Sequence, residues 1–221
     1  MSTDFHHSGK SRVKRLPKRG FYDKETIYKI LDEGIVCHIS FILDNQPFII
    51  PTSYARVDDA IYIHGAKTSR LLNIMDGRNK LCVSVTLLDS YVMARSAFHH
   101  SMNYHSAILF GTGEIIHSDD EKLIALKVFS DHLVPGRWED ARQPSEKELH
   151  ATHVVKIIID EASAKIRTGP PSDDEEDYGL DVWAGLLQFK TVLLDPVDDP
   201  RLKDGVNVPE YIQKFIKDKN S

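Results

Sequence analysis

The run YHSAILFGTGEIIH at residues 104–117 constrains the fold more than any other stretch of this chain. It is apolar and strand-like, and Gly111 and Gly113 inside it predict a bulge or sharp bend of the kind that lets a sheet curl into a barrel. Immediately before it, overlapping at its end, comes SAFHHSMNYHS, residues 96–106, which sets three histidines and three serines beside Phe98, Asn103 and Tyr104. A buried polar group without a partner costs about 1–3 kcal/mol, so this density asks for solvent or for a ligand. Its flanks, YVMAR and AILFG, read as inward-facing strands, and polar residues at the mouth of a barrel or cleft are where sites form.

The remainder of the chain supplies short strands and helices around that run. Asp23 caps a helix whose Ile27, Ile30 and Leu31 share one face, with Gly34 after its end. Residues 35–42, 48–54 and 60–64 alternate as strands, and Pro51 places the second at an edge or a bulge. Residues 80–88 and 91–97 predict a hairpin turned at Asp89 and Ser90. Ser118 with Glu121 and Ser145 with Glu148 start two helices, the first presenting Leu123, Ile124, Val128 and Phe129. Residues 154–162 form a strand, the acidic run SDDEED at 172–177 a solvated loop, and residues 186–194 a last strand. Asn207 caps and Pro209 begins a final amphipathic helix. Six or seven strands with short helices make an α+β, mainly β architecture on an antiparallel barrel.

One corner reads as an anion site on local grounds. The strand AIYIH ends at His64, Gly65 and Ala66 turn the chain, and Thr68 or Ser69 begins a helix expected to run through Met75. Free N–H groups at a helix start favour phosphate, and Lys67, Ser69 and Arg70 add donors. The spacing matches neither a P-loop nor a dinucleotide-binding glycine fingerprint.

The formal charge of −5 gives no broad invitation to nucleic acid, although Lys10, Arg12, Lys14, Arg15, Lys18 and Arg19 make the first twenty residues basic, a tail expected to be solvated or draped on a partner. Cys37 and Cys82 lie in apolar runs and form no disulfide framework. No apolar run is long enough to span a bilayer, and residues 1–20 lack a secretion signal, so the expectation is a cytoplasmic protein off the membrane. The division expected is a basic arm at 1–20, one domain at 21–195 and a C-terminal extension at 196–221.

Taken together, IIPTSY, IYIHGA with the following SR, the SAFHHSMNY block, PGRW, KIRTGPP and VWAG resemble the pyridoxamine 5′-phosphate oxidase-like, FMN-binding split-barrel proteins, in the branch of flavin-nucleotide-binding, nitroimidazole-resistance-like proteins. The resemblance implies a homodimer of split β-barrels with FMN at the subunit interface. Under it Pro51, Thr52, Ser53 and Tyr54 lie along the isoalloxazine, and His64, Gly65, Ala66, Ser69 and Arg70 hold the ribityl phosphate. The second subunit contributes Phe98, His99, Asn103, Tyr104 and Trp138 or Trp183. The chain departs from the pattern at His105, where the family's NYRS becomes NYHS and a fixed cation becomes a titrating one.

With FMN bound, the hard chemistry belongs to the flavin and the protein supplies orientation and water exclusion. The implied activity is an oxidoreductase passing electrons from reduced nicotinamide to a small electrophilic acceptor such as a nitro compound or quinone, with His64 and His99 as candidate proton donors. The alternative is a flavin- or haem-binding module without turnover. His64, His99 and His105 are the histidines that a zinc or haem site would have to bring together, while His38, His117, His132, His150 and His153 read as structural. A true pyridoxamine phosphate oxidase would need a cationic Arg-x-His strand near the C-terminus, and GLLQFKTVLLD has none.

Overall fold

The computed structural model describes residues 3–75 and 79–221. Its strands in chain order are β1 (Gly20–Phe21), β2 (Val36–Leu43), β3 (Gln46–Ser53), β4 (Ala55–Val57), β5 (Ala60–Ala66), β6 (Lys80–Met93), β7 (Ser101–Ile116), β8 (Thr152–Arg167) and β9 (Gly185–Gln188). The helices are α1 (Lys24–Glu33), α2 (Arg70–Asn73), α3 (Asp119–Leu133), α4 (Arg137–Asp140), α5 (Glu146–Ala151) and α6 (Glu210–Asn220). All pairings are antiparallel in the order β3-β2-β6-β7-β8-β5-β4, with β1 added to β8 and β9 to β6. The path stays open between β3 and β4, which is the split of a split barrel.

Helix α1 plugs the curved sheet. The Asp23 carboxylate accepts from the Thr26 N–H at 2.8 Å, and Ile27, Ile30 and Leu31 are buried against Val83, Val85 and Leu109. The Tyr54 hydroxyl donates to the Leu31 carbonyl at 2.6 Å, pinning the end of β3 to the helix. Curvature comes from β7. Its register with β8 slips between Phe110 and Gly111, and a Cβ at Gly111 would stand 1.9 Å from the Ile158 carbonyl oxygen, so only glycine allows this close approach.

Several local expectations fail for identifiable reasons. Asp89 and Ser90 make no hairpin turn: β6 runs straight through them with a register irregularity, because β7 pairs along both halves. The last strand stops at Gln188 rather than 194, once the chain leaves the edge of β6. Helix α6 starts at Glu210 with Pro209 as its cap, so Asn207 lies outside it. In α3 the inward residues are Lys122 and Ala125, while Ile124 is 66% exposed. Lys122 can face inward because its ammonium reaches the Leu149 carbonyl at 3.3 Å and Asp119 at 3.3 Å.

The basic arm is docked rather than solvated. Phe5 and Ser11 are buried. The Glu161 carboxylate accepts from the Ser8 N–H at 3.0 Å and the Ser11 hydroxyl at 2.8 Å, and pairs with Lys10 at 3.1 Å. Burial would raise the pKa of Glu161, but these donors outweigh it and bring the group down to about 2.

Candidate functional site

Strand β8 carries the predicted site residues to two separate ends. His64 sits opposite Val154 in the β5–β8 ladder, while Tyr104 and His105 sit opposite Arg167 and Ile166 in the β7–β8 ladder. At about 3.3 Å per strand residue the two ends are separated by roughly 40 Å of strand, measured along its curve. His64, His99 and His105 therefore do not converge within one chain.

At the first end, His64 packs edge-on against Phe129, ring centroids 4.3 Å apart, beside a cleft of about 310 Å³ lined by Leu126, Arg142, Pro144, Leu149 and Thr152. Burial lowers the pKa of its imidazole, which keeps the ring neutral near pH 7. Gly65 and Ala66 follow, opposite His153 and Thr152. The Ser69 N–H donates to the Ala66 carbonyl at 2.9 Å, and among the described residues the Ser69 hydroxyl makes no capping bond. Helix α2 is a single turn and does not continue through Met75, so an anion here would rely on individual donors rather than on a macrodipole. The side chain of Arg70 lies outside the described residues.

On β3, the edge strand at the other end of the sheet path, Pro51 is exposed and Thr52 and Ser53 are half-buried, with backbone open along one side. Tyr54 differs: its ring is fully buried, and burial raises its pKa. Only its backbone can face a ligand. Trp138, in α4, is half-buried, and its carbonyl accepts from the Gln143 amide at 2.9 Å.

At the other end, residues 96–106 make a bend and the start of β7. Phe98 is 90% exposed, and the neighbouring His99 points Nε2 at the Asp174 carboxylate, 3.3 Å away. Asn103 is buried, donating to the Gly169 carbonyl at 3.0 Å and accepting from the Arg167 guanidinium, so its side chain is spent inside its own chain. Tyr104 is half-buried beside this pair. His105 pairs with Asp89 at 2.9 Å in place of an arginine's fixed charge. Trp183 is 64% exposed and lies over Gly185, where an added Cβ would come within 2.8 Å of the ring.

The acidic run is not wholly the solvated loop its composition predicts. The Asp173 side chain is completely enclosed and accepts from the Arg95 and Ser96 N–H groups at 2.9 and 3.1 Å and from the Arg95 guanidinium at 3.3 Å. It bolts the turn at 173–179 to the histidine-rich bend. A carboxylate run gives no local sign of which member will be buried by a partner 78 residues away.

The buried imidazole has a measurable consequence. Because folding holds His64 neutral, the unfolded chain takes up the proton first as pH falls through about 6.5. The stability that follows is complete above that pH and is lost below it. His153 acts in the same direction, through burial and then Lys67, Lys122 and His117. The urea midpoint is expected to drop between about pH 7.5 and about pH 5.5, and H64F to flatten that drop. An unchanged slope in H64F would clear His64 as its source.

Among the described residues, no helix is long and apolar enough to cross a membrane. No curated protein is significantly similar to the chain. Solved structures are. The flavocytochrome Anf3 from Azotobacter vinelandii is 40% identical, covering 94% of this chain and 96% of its own, with a TM-score of 0.88. The FAD and haem binding protein from Mycobacterium smegmatis is 33% identical over 90% of this chain and 97% of its own, TM-score 0.85. A candidate 5-nitroimidazole antibiotic resistance protein from Bacteroides thetaiotaomicron shares the fold at 22% identity, covering 66% of this chain and 86% of its own, TM-score 0.56. The family model described as pyridoxamine 5′-phosphate oxidase matches residues 23–166, from the cap of α1 almost to the end of β8. Open split barrel, curvature at Gly111 and family match agree: this chain belongs to the pyridoxamine 5′-phosphate oxidase-like split-barrel family.

Proposed function

We propose that this protein is a flavin- and haem-carrying redox protein that works as a homodimer. The observation that carries the reading is the near full-length similarity, at 40% and 33% identity, to proteins named as a flavocytochrome and as an FAD and haem binding protein. FAD, the nucleotide in the second name, is the form we favour over the FMN implied by the sequence resemblance. When bound, the flavin accepts an electron pair and releases single electrons, and the haem passes single electrons.

The chain's own residues fit both groups. Ser69, whose hydroxyl makes no capping bond among the described residues, and the open edge of β3 at Pro51, Thr52 and Ser53 supply donors and backbone for a flavin. His64 offers a neutral imidazole at a cleft lined by Leu126, Pro144 and Leu149 together with Arg142, Glu148 and Thr152, and the neutral form is the one that ligates iron. Reduced nicotinamide as electron source and a small electrophile as acceptor complete the reading, and the two free cysteines suit a reducing cytoplasm.

A second copy is supported by surface area. The chain exposes 14,445 Å², whereas a compact monomer of 25.1 kDa exposes about 10,300 Å². Large apolar side chains stand in this surface: Phe98 is 90% exposed, Leu194 80%, Val197 96% and Trp183 64%. In such a dimer the bend at 96–106 of one chain would complete the His64 corner of the other, regions that one chain holds at opposite ends of β8.

The test is the absorption spectrum of the protein as purified. A Soret band together with a flavin band is expected, with FAD identified by mass in the acid extract and bleaching under anaerobic reduced nicotinamide. Light scattering should give twice 25.1 kDa. A colourless protein that takes up neither group would overturn the reading.

A further inference from the structure

The docked N-terminal arm creates a feature that the flavin and haem reading leaves unused. Folded back over the outer face of β7 and β8, it encloses a cleft of about 260 Å³ whose charged lining is entirely cationic: Lys10, Arg12, Lys14, Arg15 and, from β8, Lys165. Among the described residues, Arg12, Lys14, Arg15 and Lys165 have no carboxylate partner, and Lys10 alone pairs, with Glu161. Five like charges around one small cleft repel one another, which makes the empty cleft costly in a chain whose net charge is −5. Arg19 and Arg167 stand close by and extend the positive field. Burial first, and then Arg19, lowers the pKa of Arg167.

Two hydroxyls point to a specific occupant rather than a diffuse patch. Ser163 lies in the cleft wall and is largely buried, at 5% exposure. Ser106 lines the same wall and donates its hydroxyl to the Lys165 carbonyl at 3.3 Å, so Ser163 is the serine whose hydroxyl can donate to an anion oxygen. The arm that carries four of the cations is held in place: Glu161 accepts from Ser8 and Ser11, the Val13 N–H donates to the Tyr22 hydroxyl at 3.0 Å, and the His7 and Tyr22 rings stack at 4.0 Å. A cleft with a held backbone, an all-cationic charged lining and serine hydroxyls in its wall has the chemistry of phosphate recognition.

We propose that the cleft between the N-terminal arm and strands β7 and β8 binds the diphosphate of a small soluble ligand, with Lys165 and the arm's Arg12 and Arg15 pairing its oxygens and Ser163 hydrogen-bonding to it. Its Lys165 wall is opposite Gly20 on β1 and eleven positions along β8 from Val154, the residue facing His64, so the cleft is separate from the His64 corner within the chain.

Titration calorimetry of the purified holoprotein with inorganic pyrophosphate and with ADP, at physiological salt, tests this. One saturable site per chain is expected, with affinity lowered at least tenfold in K165Q and in R12Q/R15Q. The deciding variant is E161A. It deletes a negative charge next to the cleft, so a diffuse basic patch would bind pyrophosphate more tightly. A cleft that exists only while the arm is docked would bind it more weakly, and tryptic cleavage of the arm would speed up. Folding of each variant is checked by circular dichroism, and flavin content is read from the same samples. If K165Q also sheds its flavin, the diphosphate is the flavin's own. If it keeps flavin and loses pyrophosphate and ADP, the occupant is a second phosphorylated ligand. Absence of saturable binding in the wild type together with full flavin retention by K165Q, or tighter binding by E161A, overturns the proposal.

Discussion

Gly111→Ala is expected to cost about 4 kcal/mol, a fall in melting temperature of about 8–16 °C for a domain of this size. The reason is the identity of the atom in the way. A Cβ at position 111 would lie 1.9 Å from the carbonyl oxygen of Ile158, a backbone atom of the strand that pairs with β7, β5 and β1. A side chain could rotate aside, but this carbonyl moves only if β8 moves. Displacing β8 disturbs its ladders to β7 and β5 together. Gly113→Ala makes the matched comparison. Its Cβ would meet side-chain atoms of Met75 at 3.0 Å and Val155 at 3.1 Å, which can give by a few tenths of an ångström, so its penalty should be well under half as large. Thermal unfolding followed by circular dichroism checks both. A G111A protein melting within about 2 °C of wild type would mean that the bulge does not set the curvature of this sheet.

His64→Ala is expected to remove at least nine-tenths of the Soret absorbance while leaving the flavin in place. His64 is held edge-on against Phe129 beside a cleft of mixed lining, and burial lowers its pKa, so the lone pair a metal needs is free at neutral pH. The flavin contacts proposed here rest on Ser69 and the β3 edge, which this substitution does not touch. H105A serves as control, because that imidazole is paired with Asp89 at the far end of β8 and should not alter the spectrum. Haem content in H64A equal to wild type would move the iron elsewhere, and simultaneous loss of flavin would mean that the two groups share this corner.

The two ends of the candidate site were unequally readable. His64, Gly65, Ala66 and Ser69 are contiguous, so their juxtaposition follows from the local path of strand into turn, and the structure puts them together on one corner. The bend at 96–106 announced itself by composition, yet its partners are remote. Asp173 closes on Arg95 and Ser96, Asp174 on His99, and Gly169 and Arg167 on Asn103, each more than sixty residues along the chain. Those partners consume Asn103 and engage His99 within its own subunit, leaving Phe98 as the member most open to a neighbour.

The sequence by itself determined the class of this fold: alternating apolar strands, the cap at Asp23, Pro51 on an edge strand and the glycine that bends β7 are local signals that act through backbone sterics and short-range hydrogen bonds. The tertiary structure alone decided that Asp89 and Ser90 continue a strand, that Tyr54 is a core residue and that the basic arm is a wall of a cleft. Each of these depends on a contact between segments distant in the chain, β7 on β6, Leu31 on Tyr54, Glu161 on Ser8 and Ser11. Such contacts are selected by the packing of the whole sheet, whose free energy is shared over many residues and is written in no short stretch of the chain.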